Sequence, residues 1–157
     1  MGKEKTADGR LRQLLGPALG LEENDLDLLA GFLNYKKLNP GEALFKEGES
    51  GDFAAFILDG VMQVKKETEF PGKHFVLAIL SRGAAVGEFP LTNGCTPLYR
   101  RASAEALKIT ELAILDRKEF DSLCIRHPQI ALSLLRTFLK CACLRLQGAN
   151  QRMAAVF

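Results

Sequence analysis

The chain has 157 residues, of which 47% are hydrophobic, and a formal net charge of only +2. This length fits one domain with an appended helix, and the apolar content is enough for a real core. Because the basic residues are dispersed, the sequence shows no basic cluster of the kind that binds nucleic acid. The apolar runs are too short to cross a bilayer, and no apolar stretch follows the charged N-terminus as in a secretory signal. We therefore expect a cytoplasmic protein without a membrane segment.

Cysteine and histidine are too sparse and too scattered to indicate a metal centre. The chain has four cysteines and two histidines, and neither residue type shows the paired spacing of zinc ligands. A cupin-like barrel enzyme would need histidines and carboxylates converging on one metal ion. We expect no metal, no cofactor and no enzymatic activity, and we expect the thiols to be free in a reducing compartment.

The chain divides into three zones with different periodicity. Residues 1–34 show helical spacing at Leu11, Leu14 and Leu15 and again from Leu26 to Leu33, which predicts an N-terminal helical segment. Residues 35–115 are short apolar runs separated by turn dipeptides, a pattern typical of a small barrel, sandwich or jelly roll. Within this zone Asp59-Gly60 separates two strand-like runs and predicts a β-hairpin with a type I′ turn.

Residues 116–157 are helical in pattern. A helix is predicted over residues 117–125, and Pro128 suits the first turn of a longer one that reaches the end of the chain. This long helix carries a seam with alternating steps of three and four: Leu132, Leu135, Leu139, Ala142, Leu146, Ala149, Met153 and Val156. A second apolar stripe consists of Ile130, Leu134, Phe138 and Cys141. One domain cannot readily bury both stripes, so we expect a homodimer through residues 128–157.

The segment with the most chemical information lies near the middle. Gly87-Glu88-Phe89-Pro90 is followed, after a turn-rich stretch, by Arg100-Arg101-Ala102-Ser103. A carboxylate accepts hydrogen bonds from hydroxyls, and a guanidinium binds a phosphate with two parallel N–H···O bonds. The pair therefore suits a ligand that carries both a ribose and a phosphate. The simpler interpretation is a surface ion pair or two solvated charges.

An ordered set of short motifs resembles one known family. The set comprises Pro40-Gly41-Glu42, Glu47-Gly48, Gly51-Asp52, Ile57-Leu58-x-Gly60, Gly83, Gly87-Glu88 and Arg100-x-Ala102-Ser103. Its order and spacing are similar to those of cyclic nucleotide-binding domains, most closely the bacterial sensor domains of the catabolite-activator type. The resemblance implies a mainly β fold, an eight-stranded, jelly-roll-like β-roll with N-terminal helices and a long C-terminal helix. It also implies a phosphate-binding cassette over residues 83–106.

The resemblance also implies roles for individual residues. Glu88 matches the residue that accepts from the ribose 2′-hydroxyl, and Arg100 matches the arginine that pairs with the cyclic phosphate. Arg101 could serve instead of Arg100. The full set of ligand-binding candidates is Gly87, Glu88, Phe89, Arg100, Arg101 and Ala102.

Three features depart from the family pattern. Pro90 stands where the family uses a backbone N–H to bind the phosphate, and proline has none. The interval from Glu88 to Arg100 is longer than usual, through residues 92–99. No Thr or Ser pair for contacting the base is evident on the last helix, where Thr137 is one candidate and Arg145 a second.

Two functions remain open from the sequence. The first is a signalling protein that binds cyclic AMP or cyclic GMP and relays to the C-terminal helix. The second is a degenerate scaffold of the same fold that mediates protein interactions without a nucleotide. No helix-turn-helix follows the last helix in this sequence, so we expect no specific DNA binding by this chain alone.

Overall fold

The computed structural model describes residues 5–92 and 99–156, and side chains from residue 9 onward. Five helices and eight strands lie in this part of the chain. In chain order they are α1 (Lys5–Leu19), α2 (Glu23–Ala30), β1 (Asn34–Leu38), β2 (Ala43–Phe45), β3 (Phe53–Asp59), β4 (Val61–Glu67), β5 (His74–Ser81), β6 (Ala85–Val86), α3 (Phe89–Thr92), β7 (Ser103–Ala106), β8 (Thr110–Asp116), α4 (Arg117–Arg126) and α5 (Pro128–Ala154). No helix of the described residues is both long and apolar enough to span a membrane.

The strands form two four-stranded antiparallel sheets that make up a β-roll. The first sheet has the order β1-β8-β3-β6 and the second has the order β2-β7-β4-β5. The predicted fold class, a β-roll with flanking helices and a long C-terminal helix, is confirmed.

Strand β3 shows why its sequence is a nearly continuous apolar run. Ala55 and Ile57 face the interior of the roll, between the two sheets. Ala54, Phe56 and Leu58 point to the opposite side, where they belong to the apolar core between this sheet and the helices. Successive side chains of a strand alternate between faces, so a strand that is covered on both sides must be apolar throughout.

The hairpin predicted at Asp59-Gly60 is wrong. Strand β3 pairs with β6 and β8, whereas β4 pairs with β5 and β7, so the chain passes from one sheet to the other at this turn. An Asp-Gly turn between two apolar runs gives a change of direction but does not show which strands pair. The true hairpin of this region joins β4 and β5, with the backbone N–H of Thr68 donating to the carbonyl of Lys73 at 3.0 Å.

The helices cover one side of the roll, and α5 separates the two predicted stripes. Ile130, Leu134 and Phe138 are buried in the core between the helices and the first sheet, and the half-buried Cys141 packs against that core. Along the seam, Leu135 and Leu139 are exposed, as are Leu146 and Met153 farther along. Helix α5 therefore uses one apolar stripe to hold the roll and presents the other to solvent.

Candidate ligand-binding cavity

All six predicted ligand-binding residues line one cavity of about 190 Å³, which we call the cassette cavity. It lies where the segment that follows β6 meets the segment that leads into β7. The other lining residues are Phe45, Val64, Val86, Pro90, Tyr99 and Arg145. The cassette residues thus come together in space, although the stretch between them includes residues 93–98, which lie outside the described part.

Arg100 is the most deeply buried charged group of the cavity, with 5% of its surface exposed. Its guanidinium donates from Nη1 to the carbonyl of Gly87 at 2.9 Å and from Nη2 to the carbonyl of Phe53 at 2.8 Å. The ring centroids of Phe45 and Phe53 lie 3.9 and 4.6 Å from its Cζ, so the cation contacts two aromatic rings. Its Nε is buried and has no hydrogen-bond partner among the described atoms.

The charge environment of Arg100 combines opposing effects. Burial lowers the pKa of the guanidinium, and the carboxylates of Asp52, Glu49 and Glu88 act in the opposite direction. Arginine keeps its proton in proteins, so the group stays cationic. Arg100 is therefore a fixed positive charge within the wall of the cavity.

Two glycines make room for this guanidinium. A Cβ on Gly51 would lie 2.2 Å from Nε of Arg100. A Cβ on Gly87 would lie 2.7 Å from Nη1 of Arg100 and 2.8 Å from Cε1 of Phe45, and the φ of Gly87 is +73°. Gly51 is needed to make room for Arg100, and Gly87 is needed both for Arg100 and Phe45 and for its positive φ.

Glu88 forms an ion pair with a residue of the C-terminal helix. Nη1 of Arg145 donates to Oε1 of Glu88 at 2.6 Å, and Nη2 of the same guanidinium donates to the carbonyl of Ala85. The side chain of Glu88 is only 14% exposed and that of Arg145 is 32% exposed. Sequence reasoning identified both residues but not this contact, because 57 positions separate them.

The mouth of the cavity is aromatic and basic. Phe89 and Tyr99 are 49% and 66% exposed. The guanidinium of Arg101 lies over the ring of Phe89, with its Cζ 5.4 Å from the ring centroid, and its side chain is exposed. Arg101 therefore offers a solvent-accessible cation close to the buried Arg100.

The first candidate for contact with a base, Thr137, lies elsewhere. Its hydroxyl donates to the carbonyls of Ser133 at 3.0 Å and of Ala18 at 3.4 Å, which places it against α1. The second candidate, Arg145, lines the cavity. Among the described residues no group of three or more His, Cys, Asp or Glu side chains could hold a metal ion.

The described residues thus form a β-roll whose cassette residues line one cavity beside a long C-terminal helix. The sequence profile described as "cyclic nucleotide-binding domain" matches residues 35–127. The chain therefore belongs to the cyclic nucleotide-binding domain family, as the motif set predicted. Domains of this family are typically regulatory.

Individual proteins show how widely this domain is used. The lysophospholipase NTE1 of Phaeosphaeria nodorum is 30% identical over 102 residues, which is 65% of this chain but only 6% of that protein. A cyclic nucleotide-binding domain from Methylobacillus flagellatus superposes with a TM-score of 0.84 at 21% identity, over 96% of this chain and 86% of that one. The catabolite activator protein of Thermus thermophilus superposes with a TM-score of 0.70 at 26% identity, over 88% of this chain and 62% of that one.

Proposed function

We propose that this domain binds a cyclic nucleotide, cyclic AMP or cyclic GMP, in the cassette cavity and passes the bound state to α5. The observation that carries the proposal is that all six cassette residues line a single cavity. Membership of the family supports the class of ligand. Arg145 of α5 lines the same cavity, so a relay to this helix needs no further element.

In the proposed complex, two charged side chains bind different parts of the ligand. The ribose 2′-hydroxyl donates to the carboxylate of Glu88, and the cyclic phosphate binds the guanidinium of Arg100. A phosphate oxygen shares a full negative charge, so it is a stronger acceptor than the two carbonyls to which Arg100 donates. Arg101 is the alternative phosphate-binding group, because it is exposed at the mouth.

Pro90 weakens this site without closing it. It lies in the short helix α3, is buried and lines the cavity, but it has no N–H to offer the phosphate. A missing hydrogen bond to a charged partner costs about 1.5–3 kcal/mol, which corresponds to about a tenfold to hundredfold loss of affinity. We therefore expect binding that is weaker than the fold alone would allow.

Calorimetric titration with cyclic AMP and cyclic GMP tests the proposal on the wild type and on Pro90→Ala. We expect at least one nucleotide to bind, and the variant to bind it about tenfold or more tightly, because alanine restores the N–H. Glu88→Gln should weaken binding, and a comparison of Arg100→Gln with Arg101→Gln identifies which of the two guanidinium groups binds the phosphate. Absence of heat and of a thermal shift at millimolar nucleotide, in both wild type and Pro90→Ala, would remove the proposal.

A scaffold without a nucleotide is the second candidate function. Its specific support is that Glu88 and Arg100 both have protein partners, while Pro90 lacks a donor. On this hypothesis the roll persists as a frame and α5 mediates assembly. A purified sample that carries a bound nucleotide would contradict it.

We further propose that α5 pairs with the α5 of a second copy along the exposed seam. Leu139 and Leu146 are 66% and 63% exposed, and contiguous apolar stripes of this kind mark interfaces. The double variant Leu139→Ser/Leu146→Ser should raise the dimer dissociation constant at least about tenfold, as measured by sedimentation equilibrium. Ile125→Ser is the control, because Ile125 is 83% exposed on α4, off the seam. Unchanged dimerisation of the double variant would contradict the pairing.

A further inference from the structure

The charged side chains that line the cassette cavity do not balance. Its described lining residues include three arginines, Arg100, Arg101 and Arg145, and one carboxylate, Glu88. Arg145 forms an ion pair with Glu88, so these two charges offset each other. The cavity thus keeps two cations, whereas a cyclic mononucleotide brings a single negative charge on its phosphate. A bound cyclic nucleotide would leave one guanidinium without a negative partner.

The two remaining cations differ in their surroundings. Arg100 is buried, and burial lowers the pKa of its guanidinium, against which the nearby carboxylates of Asp52 and Glu49 act. Arg101 is exposed and forms no ion pair within the described part of the chain. Residues 93–98, which lie outside that part, include no acidic residue. Arg101 is therefore the cation that a further negative group can neutralise at the smaller desolvation cost.

The position of Arg101 at the mouth is set by its neighbours. Its guanidinium lies over the ring of Phe89, with Cζ 5.4 Å from the ring centroid. Its carbonyl accepts a hydrogen bond from Nζ of Lys66 at 3.0 Å, and Lys66 is itself paired with Glu47. The ring contacts the face of the guanidinium, so the N–H groups at its edge stay available to a ligand. Arg101 thus presents a held but unneutralised set of donors.

We propose that Arg101 is a second anion-binding position at the mouth of the cavity, which suits the site to a nucleotide with two phosphate groups. This inference rests on the proposed function, in which the first phosphate binds Arg100, and it narrows the class of ligand. A guanidinium binds a phosphate through two parallel N–H···O bonds, so each arginine serves one phosphate group. Both arginines line one cavity of about 190 Å³, so a single small ligand can contact both.

A cycle of two ligands and two proteins measures the contribution of Arg101. AMP and adenosine 3′,5′-bisphosphate differ only in the 3′-phosphate, and both keep the ribose 2′-hydroxyl for Glu88. In the wild type the 3′-phosphate should strengthen binding about fivefold or more, as measured by calorimetric titration. In Arg101→Gln this gain should fall to about twofold or less, because the added phosphate has lost its partner. The affinity for cyclic AMP should stay within about twofold of the wild type in the same variant.

Two further variants show whether the gain belongs to this position. Arg101→Lys keeps the charge and should retain most of the gain. Arg82→Gln is the matched control, because Arg82 is exposed between β5 and β6 and is not among the residues that line the cassette cavity. It removes the same charge and should leave the gain unchanged. If Arg82→Gln abolishes the gain as Arg101→Gln does, the effect comes from overall charge and the second position is wrong.

Two phosphates can belong to one ribose or to two nucleotide units. Cyclic di-AMP, which carries its phosphates between two riboses, is therefore titrated in parallel with the bisphosphate. If Arg101→Gln weakens the binding of cyclic di-AMP about fivefold or more, while cyclic AMP is unaffected, the second phosphate comes from a second nucleotide unit. A loss confined to the bisphosphate places both phosphates on one ribose.

The outcomes separate the second anion-binding position from the proposed function. If cyclic AMP binds and neither two-phosphate ligand depends on Arg101, the second position is wrong while the function stands. If Arg101→Gln weakens cyclic AMP as much as the two-phosphate ligands, Arg101 is the single phosphate-binding group, and the second position is again wrong. If a two-phosphate ligand binds through Arg101 and cyclic nucleotides do not bind, the second position stands and the proposed ligand is wrong. If no ligand binds at millimolar concentration, both proposals fall.

Discussion

The two halves of α5 belong to one continuous helix, but different forces hold them. Residues 128–138 include Ile130, Leu134 and Phe138, which are buried against the roll and the other helices. Residues 139–154 have no fully buried side chain: Cys141 packs against the edge of the core, and farther along Arg145 and Arg152 donate hydrogen bonds to the roll. The first half is fixed by burial of apolar surface, whereas beyond Cys141 the described contacts of the second half with the roll are hydrogen bonds from two arginines.

These two kinds of attachment differ in what can undo them. Burial of apolar surface is non-directional and has no single competitor, so the first half stays in place as long as the domain is folded. A hydrogen-bonded ion pair has a defined partner, and a ligand that offers a better partner can break it. Arg145, in the second half, also lines the cassette cavity.

The largest expected effect comes from removing an anchor of the first half. Phe138 is 3% exposed, and its ring centroid lies 5.5 Å from that of Phe56 in a stacked arrangement. Phe138→Ala should lower the free energy of unfolding by about 3–5 kcal/mol, measured by urea denaturation at low protein concentration. The neighbouring Leu139→Ala, at a site that is 66% exposed, should change it by no more than about 0.5 kcal/mol. Similar losses of unfolding free energy in Phe138→Ala and Leu139→Ala would contradict the difference between the two halves.

A smaller effect is expected from stiffening the second half. A Cβ on Gly148 would lie 3.8 Å from Nη1 of Arg152, an ordinary van der Waals distance. Gly148→Ala should stabilise the helix locally by about 1 kcal/mol, because alanine has the higher helix propensity. Hydrogen exchange should slow for residues 144–154 and stay unchanged for residues 130–138.

The reverse change is the control for Gly148→Ala. Ala149→Gly, one residue farther along the helix, should accelerate exchange in the same stretch. If neither substitution alters exchange there, local helix propensity does not limit the motion of the second half, and its attachment to the roll must be firmer than the polar bonds indicate.

Sequence patterns predicted most of the helices and strands but only part of the strand pairing. The apolar stripe of Ile130, Leu134 and Phe138 was separable from the exposed seam, because helical spacing fixes which residues share a face. The β3–β4 hairpin was wrong, because a turn dipeptide does not determine strand pairing. Strand pairing depends on which faces are buried, and that is a property of the whole roll.

The cavity shows the same limit at the level of single side chains. Motif order indicated that Glu88 and Arg100 belong to one site, and both line the cassette cavity. The partners of these residues come from distant parts of the chain: Phe45 and Phe53 contact Arg100, and Arg145 contacts Glu88. No local spacing rule connects such residues, so their contacts became visible only in the folded chain.

The setting of Arg100 matters for anyone who wishes to redesign the cavity for a different ligand. Its guanidinium donates to the carbonyls of Gly87 and Phe53, so a substitution at this position removes two hydrogen bonds of the cavity wall together with the proposed phosphate-binding group. Selection for new specificity is better directed to the exposed rim, at Phe89, Tyr99 and Arg101. Substitutions at the rim leave the hydrogen bonds of Arg100 to Gly87 and Phe53 intact. The ligand preference of the rim can therefore be altered without loss of these structural bonds.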